Sequence, residues 1–277
     1  MKGFAPLLFL VLIACEDVIK LHLPFDENQI VVIGWVTNEM KNHEVEVSRT
    51  QGFNDPPRDI FIDDAVVKVM TLSGEGFKYS FKEDRYISDS VFQGKVGELY
   101  GIQVIVGEDT ISSNFEALQN EVGIDSIAFA TYGENLPEEV LSNNEPFMEV
   151  KYPIIFSKDS LELRNYYRFV VKKNGVLYND PQNIELLNDE AFNGNRFLHE
   201  LRSYFFQKGD TAMIELRSTS QSAFEFLELI KIQATLLGTS LGPSAAIISG
   251  NLVAQRKNQI VLGYFGCYAV HTKEIVL

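Results

Sequence analysis

The strongest constraint on the fold is the alternation of apolar and polar residues in short segments bounded by turn residues. Residues 44–50 alternate charged residues with valine, and Phe77, Tyr79 and Phe81 share one face of another segment. Successive side chains of a β-strand point to opposite faces, so this period of two predicts half-buried strands. The pattern predicts an all-β fold that is mainly antiparallel, with little helix.

Turn residues divide the N-terminal part of the chain into hairpins. The segments at 73–76 and 107–109 each stand between two strand-like runs. Six or seven short strands in under a hundred residues favour an immunoglobulin-like β-sandwich. We therefore predict this sandwich at residues 30–120, followed by a second β-rich domain at residues 121–277.

The second domain is predicted to carry one helix. A hairpin turn at Asn174-Gly175 follows one strand, and the runs at 198–207 and 211–217 are predicted to pair across Lys208-Gly209-Asp210. The helix is predicted at about residues 222–237, with Ser222 and Glu225 as a capping box and Gly238 after its end. Its apolar residues lie on two faces, which predicts cover by the sheet on one side and by loops or a partner on the other.

The N-terminal segment has the pattern of a bacterial lipoprotein signal. Lys2 precedes an apolar run of ten residues, 4–13, which ends at Leu12-Ile13-Ala14-Cys15. A helix needs about 20 apolar residues to cross a bilayer, so the run is a signal segment and not a membrane span. We predict a signal peptide at residues 1–14, with diacylglycerol attached to the Cys15 sulfur. The alternative is an ordinary secretory signal, with Cys15 incidental.

The residues after Cys15 indicate where the anchored protein goes. Glu16 and Asp17 follow the cysteine directly, and residues 15–29 are mostly polar, which is typical of a linker. Acidic residues at this place resemble the surface-export signal of Bacteroidota lipoproteins. We predict a lipidated tether at residues 15–29 that places the body on the outer face of the outer membrane. The alternative is a short solvated tether with no export information.

Charge and cysteine content narrow the class of protein. The formal net charge is −14 and no run of Lys or Arg occurs, which argues against nucleic acid as a partner. The chain has two cysteines. If Cys15 carries lipid, Cys267 has no partner within the chain, and its apolar neighbours predict a small buried side chain.

The sequence offers no clear catalytic or metal-binding motif. The histidines His22, His43, His199 and His271 stand apart from zinc-ligand spacings and are predicted to be surface or packing residues. The loop acids Asp55, Asp59, Asp63 and Asp64 lack EF-hand spacing; a solvated loop is favoured over a calcium site. Trp35 and the clustered Tyr and Phe residues are either core residues or a stacking surface for a sugar or peptide. We predict no enzyme activity, no metal and no cofactor.

Several short sequence segments, taken together, resemble one family of unknown function. They are the lipoprotein signal with Glu16-Asp17, Ile33-Gly-Trp-Val-Thr-Asn-Glu39, Ser48-Arg-Thr50, Asn165-Tyr-Tyr-Arg-Phe169, Lys208-Gly-Asp210 with the helix after it, and Leu262-Gly-Tyr-Phe265. They resemble the DUF4249-type domain of Bacteroidota outer-membrane lipoproteins, which typically occur beside SusC-like TonB-dependent transporters. The chain departs from the expected pattern at Gly242-Pro243-Ser244, where we expect Pro-Pro.

The resemblance implies an accessory role at the cell surface, with no catalytic residues to carry over. Our first hypothesis is a non-enzymatic partner of a SusC-like TonB-dependent barrel that binds ligand, transporter or both. The second is an adhesin-like or envelope-structural lipoprotein without a transport role. A hydrolase is a third class, which would need an aligned nucleophile and base in a concave pocket.

Overall fold

The computed structural model describes residues 28–51, 58–132, 150–161, 164–178, 180–236, 248–257 and 259–277. These residues form mostly antiparallel strands and one helix, which confirms the all-β class. The strands are β1 (Ile30–Thr37), β2 (Glu44–Arg49), β3 (Ile60–Phe61), β4 (Val66–Thr71), β5 (Gly76–Lys82), β6 (Arg85–Ser88), β7 (Leu99–Val106), β8 (Asp109–Ser113), β9 (Glu116–Ala117), β10 (Ile124–Thr131), β11 (Lys151–Lys158), β12 (Tyr166–Lys173), β13 (Val176–Leu177), β14 (Glu185–Asn188), β15 (Arg196–Glu200), β16 (Thr211–Thr219), β17 (Leu252–Ala254) and β18 (Val261–Val276). The helix α1 spans Gln221–Leu236, and a short 3₁₀ turn spans Pro181–Asn183.

The strand order differs from a simple meander because one strand joins both halves of the molecule. The main sheet runs β13-β12-β16-β18-β1-β2-β6-β5-β4-β7-β8-β17, and a second sheet has the order β10-β11-β15. Along its first half β18 pairs in parallel with β1, and along its second half it pairs antiparallel with β16. The immunoglobulin-like detail of the fold prediction is therefore not confirmed.

Two of the hydrophobic cores correspond to the two halves of the main sheet. The first core packs β1, β2 and β4 to β8 together with residues of β17 and β18. The second core lies between the β12-β16-β18 part of the main sheet and the β10-β11-β15 sheet. Strands β17 and β18 thus contribute to the N-terminal core, although the predicted domain boundary lies near residue 120. That boundary stays a prediction.

A side chain holds β17 and the preceding loop against β18. Asn251 Nδ2 donates to the Phe265 carbonyl oxygen at 2.7 Å, and its Oδ1 accepts from Phe265 N at 3.0 Å. This pair of bonds imitates a strand neighbour, since it satisfies both backbone groups of Phe265. The loop lies so close that a Cβ on Gly250 would be 1.6 Å from the Gly263 carbonyl oxygen.

Three predicted hairpins are confirmed, and one predicted strand pairing is wrong. The hairpins β4–β5, β7–β8 and β12–β13 form where the turn residues predicted them. The predicted pairing of residues 198–207 with 211–217 does not occur, because β15 pairs with β11 and β16 pairs with β12 and β18.

The helix begins one residue before its predicted start and has a different cap. Ser220 Oγ accepts from Ala223 N at 3.2 Å, so Ser220 is the N-cap, and Ser222 instead donates to Glu116 Oε1 at 2.7 Å. Glu116 Oε1 also accepts from the Tyr264 hydroxyl at 2.8 Å, which ties the helix start to β9 and β18. The predicted cap residue Gly238 lies outside the described residues.

Candidate functional site

The residues of the predicted anchor and export signal, Cys15, Glu16 and Asp17, lie outside the described residues. Lipid attachment and surface export therefore stay predictions. Cys267 is described: it is buried and unpaired, as predicted. Burial, followed by the charge of Glu116, raises the pKa of its thiol, so Cys267 stays a neutral packing group.

The described histidines are tied into the packing. His43 is buried, packs against Phe92 with its ring tilted, and accepts a hydrogen bond at Nε2 from Thr37 N at 3.0 Å. His199 Nε2 lies 2.9 Å from Glu185 Oε1, and His271 Nδ1 accepts from Ile124 N at 3.1 Å. These three follow the prediction of structural roles, while His22 lies outside the described residues.

Three of the four loop acids, Asp59, Asp63 and Asp64, are described. Asp59 precedes the short strand β3, Asp63 and Asp64 follow it, and Asp55 is not described. In the described part of the chain, no group of three or more His, Cys, Asp or Glu residues is placed to hold a metal ion. The absence of a resident metal stays a prediction for the chain as a whole.

An aromatic stack marks the outer face of the main sheet where β1 meets β18. Trp35 stacks on Tyr264 with 5.6 Å between ring centroids, and Tyr264 stacks on Phe226 of α1 at 4.8 Å. Gly266 makes this possible, since a Cβ there would be 2.8 Å from Trp35 Cζ3. Trp35 therefore packs against its own chain, and it is only half-buried.

Basic residues lie beside this stack on the same face of the sheet. Arg217 of β16 stands directly opposite Arg168 of β12 in register. The Arg217 guanidinium lies over the Tyr268 ring at 4.4 Å, and Tyr268 is 5.7 Å from Trp35 by ring centroids. We call Arg168, Lys172, Glu215, Arg217 and Tyr268 the arginine cluster.

The hydrogen bonds of the arginine cluster leave one guanidinium without a partner at Nε. Glu215 Oε2 accepts from Arg217 Nε at 3.0 Å and Nη2 at 2.6 Å, and Glu215 Oε1 accepts from Lys172 Nζ at 3.0 Å. Desolvation alone would raise the pKa of Glu215, but the attraction of Arg217 and these hydrogen bonds lower it below its ordinary value. Arg168 Nε is buried and makes no hydrogen bond within the described structure. Burial, and then the charge of Arg217, lowers the pKa of Arg168 to about 10.

Helix α1 leaves part of its second apolar face open. Ala223, Phe224, Phe226 and Leu227 are buried, while Leu229 is 50% exposed and Ile232 is 47% exposed. The sheet covers one side of the helix, as predicted. Cover of the other side by loops or a partner stays a prediction.

The surface of the described residues has open hollows. One runs along residues 249–257 and 259–261, and another lies between residues 72–73 and 95–99. Both are wide open to solvent. No helix in the described ranges has the length and apolar character needed to cross a membrane.

Sequence reasoning missed the arginine cluster. Within each strand the period of two can be read from the sequence: Arg168 and Lys172 share one face of β12, and Glu215 and Arg217 share one face of β16. The register of the two strands brings these two faces together. Without the pairing of β12 with β16, neither alternation reveals that the two arginines are neighbours.

Comparison with protein families identifies the family of this chain. Residues 16–274 match a family described as a domain of unknown function, DUF4249. The match covers most of the 277 residues, so the chain belongs to this family. No curated protein matches the chain.

Proposed function

We propose that this chain is a surface-exposed lipoprotein of a Bacteroidota outer membrane and a non-enzymatic partner of a SusC-like TonB-dependent transporter. The observation that carries the proposal is the sequence Leu12-Ile13-Ala14-Cys15 at the end of a ten-residue apolar segment. Lipid on Cys15 ties an aqueous β-rich body to the membrane, and several acyl chains together give stable anchoring.

The extent of the family domain supports this arrangement. The family match begins at residue 16, directly after Cys15, and runs to residue 274. The segment assigned to the signal and the modified cysteine therefore lies outside the shared domain. The shared domain therefore takes in the proposed tether after Cys15 together with the body, as the proposed anchoring expects.

The surface of the body supports a binding role. Leu229 and Ile232 lie three residues apart on α1 and are both about half exposed, and we propose this part of the helix as a contact surface for a ligand or protein. An adhesin-like or envelope-structural lipoprotein is the alternative. It predicts defects in adhesion or envelope integrity on deletion, with unchanged growth when nutrients limit.

Replacement of Cys15 by serine tests the anchor. We expect the C15S variant to take up no labelled fatty acid in growing cells and to leave the outer-membrane fraction, because serine cannot form the thioether. Cys267→Ala is the matched control, since Cys267 is buried, and we expect it to be labelled like the unaltered protein. Equal labelling of C15S and the unaltered protein would contradict the proposed attachment.

Purification from detergent-solubilised membranes tests the transporter partnership. We expect a TonB-dependent barrel to copurify with the tagged protein in amounts approaching equimolar. Recovery of the labelled lipoprotein without any barrel, together with a deletion phenotype limited to adhesion, would favour the alternative function.

A further inference from the structure

We propose that the arginine cluster binds an oxyanion group of a small ligand, a carboxylate, phosphate or sulfate, through the guanidinium groups of Arg168 and Arg217. The site lies on the outer face of β12 and β16, beside the Trp35–Tyr264 stack. The inference is independent of the proposed anchoring and of any transporter, since it depends only on residues within the described body.

Charge balance is the first argument. Three cations, Arg168, Lys172 and Arg217, surround the single carboxylate of Glu215, and Lys172 and Arg217 engage both of its oxygens. Arg168 stands opposite Arg217, so two like charges face each other across neighbouring strands. Like charges directly opposite destabilise a sheet, and an anion bound between them would remove this repulsion.

Burial is the second argument. Val170 of β12 and Val270 of β18 are buried on the same face of the sheet, and Arg168 Nε is buried without a hydrogen-bond partner in the described structure. A buried guanidinium is costly unless it is paired and hydrogen-bonded. Folding would be served better by an apolar residue at this position. A buried polar group without a partner needs an explanation, and a bound oxyanion supplies one here.

The geometry of the donors fits an oxyanion. A guanidinium presents its N–H groups as a planar fork that matches the two oxygens of a carboxylate, phosphate or sulfate. Arg217 uses Nε and Nη2 on Glu215 and keeps its remaining N–H groups, and its plane is held over the Tyr268 ring. The Arg168 side chain keeps partial exposure to solvent, so a small anion has access to it.

The arginine cluster also contrasts with the rest of the chain. The protein carries a net charge of −14, yet cations outnumber anions at this place. The acidic surface repels an acidic ligand in general, whereas the arginine cluster attracts it, which favours binding at this place. Trp35, whose ring lies 5.7 Å from that of Tyr268, is only half-buried and offers apolar surface to the remainder of the ligand.

The test uses the purified protein and two matched variants, Arg168→Met and Arg196→Met. Arg196 is 82% exposed, so R196M removes one positive charge away from the site. Sodium phosphate, sulfate and acetate are titrated against chloride at constant ionic strength. Binding is followed by the fluorescence of Trp35, which is the only tryptophan of the chain, and by the shift in unfolding temperature.

We expect the unaltered protein and R196M to bind at least one of the three oxyanions and R168M to bind it about 10- to 100-fold more weakly, the loss expected for charge-assisted hydrogen bonds. In chloride, R168M should unfold at the same temperature as the unaltered protein or higher. Phosphate and sulfate stabilise proteins generally, and this effect is common to all variants. Comparison of acetate with phosphate and sulfate identifies the class of oxyanion.

An equal response of R168M and the unaltered protein to all three oxyanions would overturn the proposal. If R168M does not fold, Arg168→Lys decides, because lysine keeps the charge but lacks the fork. Affinity at least about tenfold weaker in R168K supports the site, and unchanged affinity overturns it.

Discussion

Replacement of Gly263 by alanine is expected to lower the free energy of unfolding by about 3 to 5 kcal/mol. Gly263 has a φ of +97° in β18, and a Cβ there would lie 2.0 Å from the Val32 carbonyl oxygen of β1. Alanine at this position is therefore destabilising for two reasons: its backbone is strained at a positive φ, and its Cβ collides with the neighbouring strand. The parallel pairing of β1 with β18, which joins the two ends of the described chain, is expected to break at this point.

Gly209→Ala separates these two costs. Gly209 has nearly the same φ, +95°, but nothing lies within 4 Å of the position that a Cβ would take there. We expect this variant to lose only about 1 to 2 kcal/mol, the backbone cost alone. Urea unfolding followed by Trp35 fluorescence measures both variants. Equal losses at the two glycines would contradict the close approach of β18 to β1.

Protonation of His43 is expected to remove about 3 kcal/mol of stability between pH 6.5 and pH 4. Burial, and then the charge of Lys41, lowers the pKa of His43 from 6.5 to about 4, while the Thr37 carbonyl and Glu39 act in the opposite direction. The unfolded chain therefore takes up the proton first as the pH falls. The contribution of His43 is fully present above pH 6.5 and is lost as the pH falls toward 4.

His43→Gln is the control, because the glutamine amide oxygen can accept from Thr37 N as His43 Nε2 does. The difference in unfolding free energy between the unaltered protein and H43Q should fall by about 3 kcal/mol from pH 7 to pH 4. Carboxylates titrate alike in both proteins and cancel in the difference. A difference that does not change with pH would contradict this account, because it would show that the pKa of His43 is the same in the folded and unfolded states.

Local structure was predictable from the sequence where a turn and its two strands are adjacent. Asn174 and Gly175 have φ values of +50° and +81°, and they close the β12–β13 hairpin as their residue types predicted. The same holds for the β4–β5 and β7–β8 hairpins. In these cases residue type determines the turn, and the turn determines the pairing.

Long-range pairing was not predictable in this way. Gly209 looked like a hairpin glycine between β15 and β16, but its N–H donates to the Leu277 carbonyl oxygen at 2.8 Å, and β16 pairs with β18. Strand β18 has two different neighbours along its length, and its sequence gives no sign of this division. Period-two patterns indicate which face is buried but do not identify the partner strand.

The two functional sites also differ in whether they can be recognised without long-range strand pairing. The anchor prediction depends on a contiguous pattern ending at Cys15 and needs no tertiary structure, whereas the arginine cluster depends on the register of β12 with β16. Arg168 and Arg217 are far apart along the chain. They are neighbours because the antiparallel register that pairs Phe169 with Leu216 also pairs Arg168 with Arg217. A site of this kind can be recognised only when the pairing of the strands is known.

The mass of the N-terminal peptide of the native protein tests the central claim most directly. Protein extracted from cell envelopes is digested, and its first peptide is measured by mass spectrometry. We predict a peptide that begins at Cys15 and carries diacylglycerol on sulfur and a further acyl chain on its amino group. A first peptide that begins elsewhere, or begins at Cys15 without acyl groups, would contradict the claim that this body is held at the membrane by lipid.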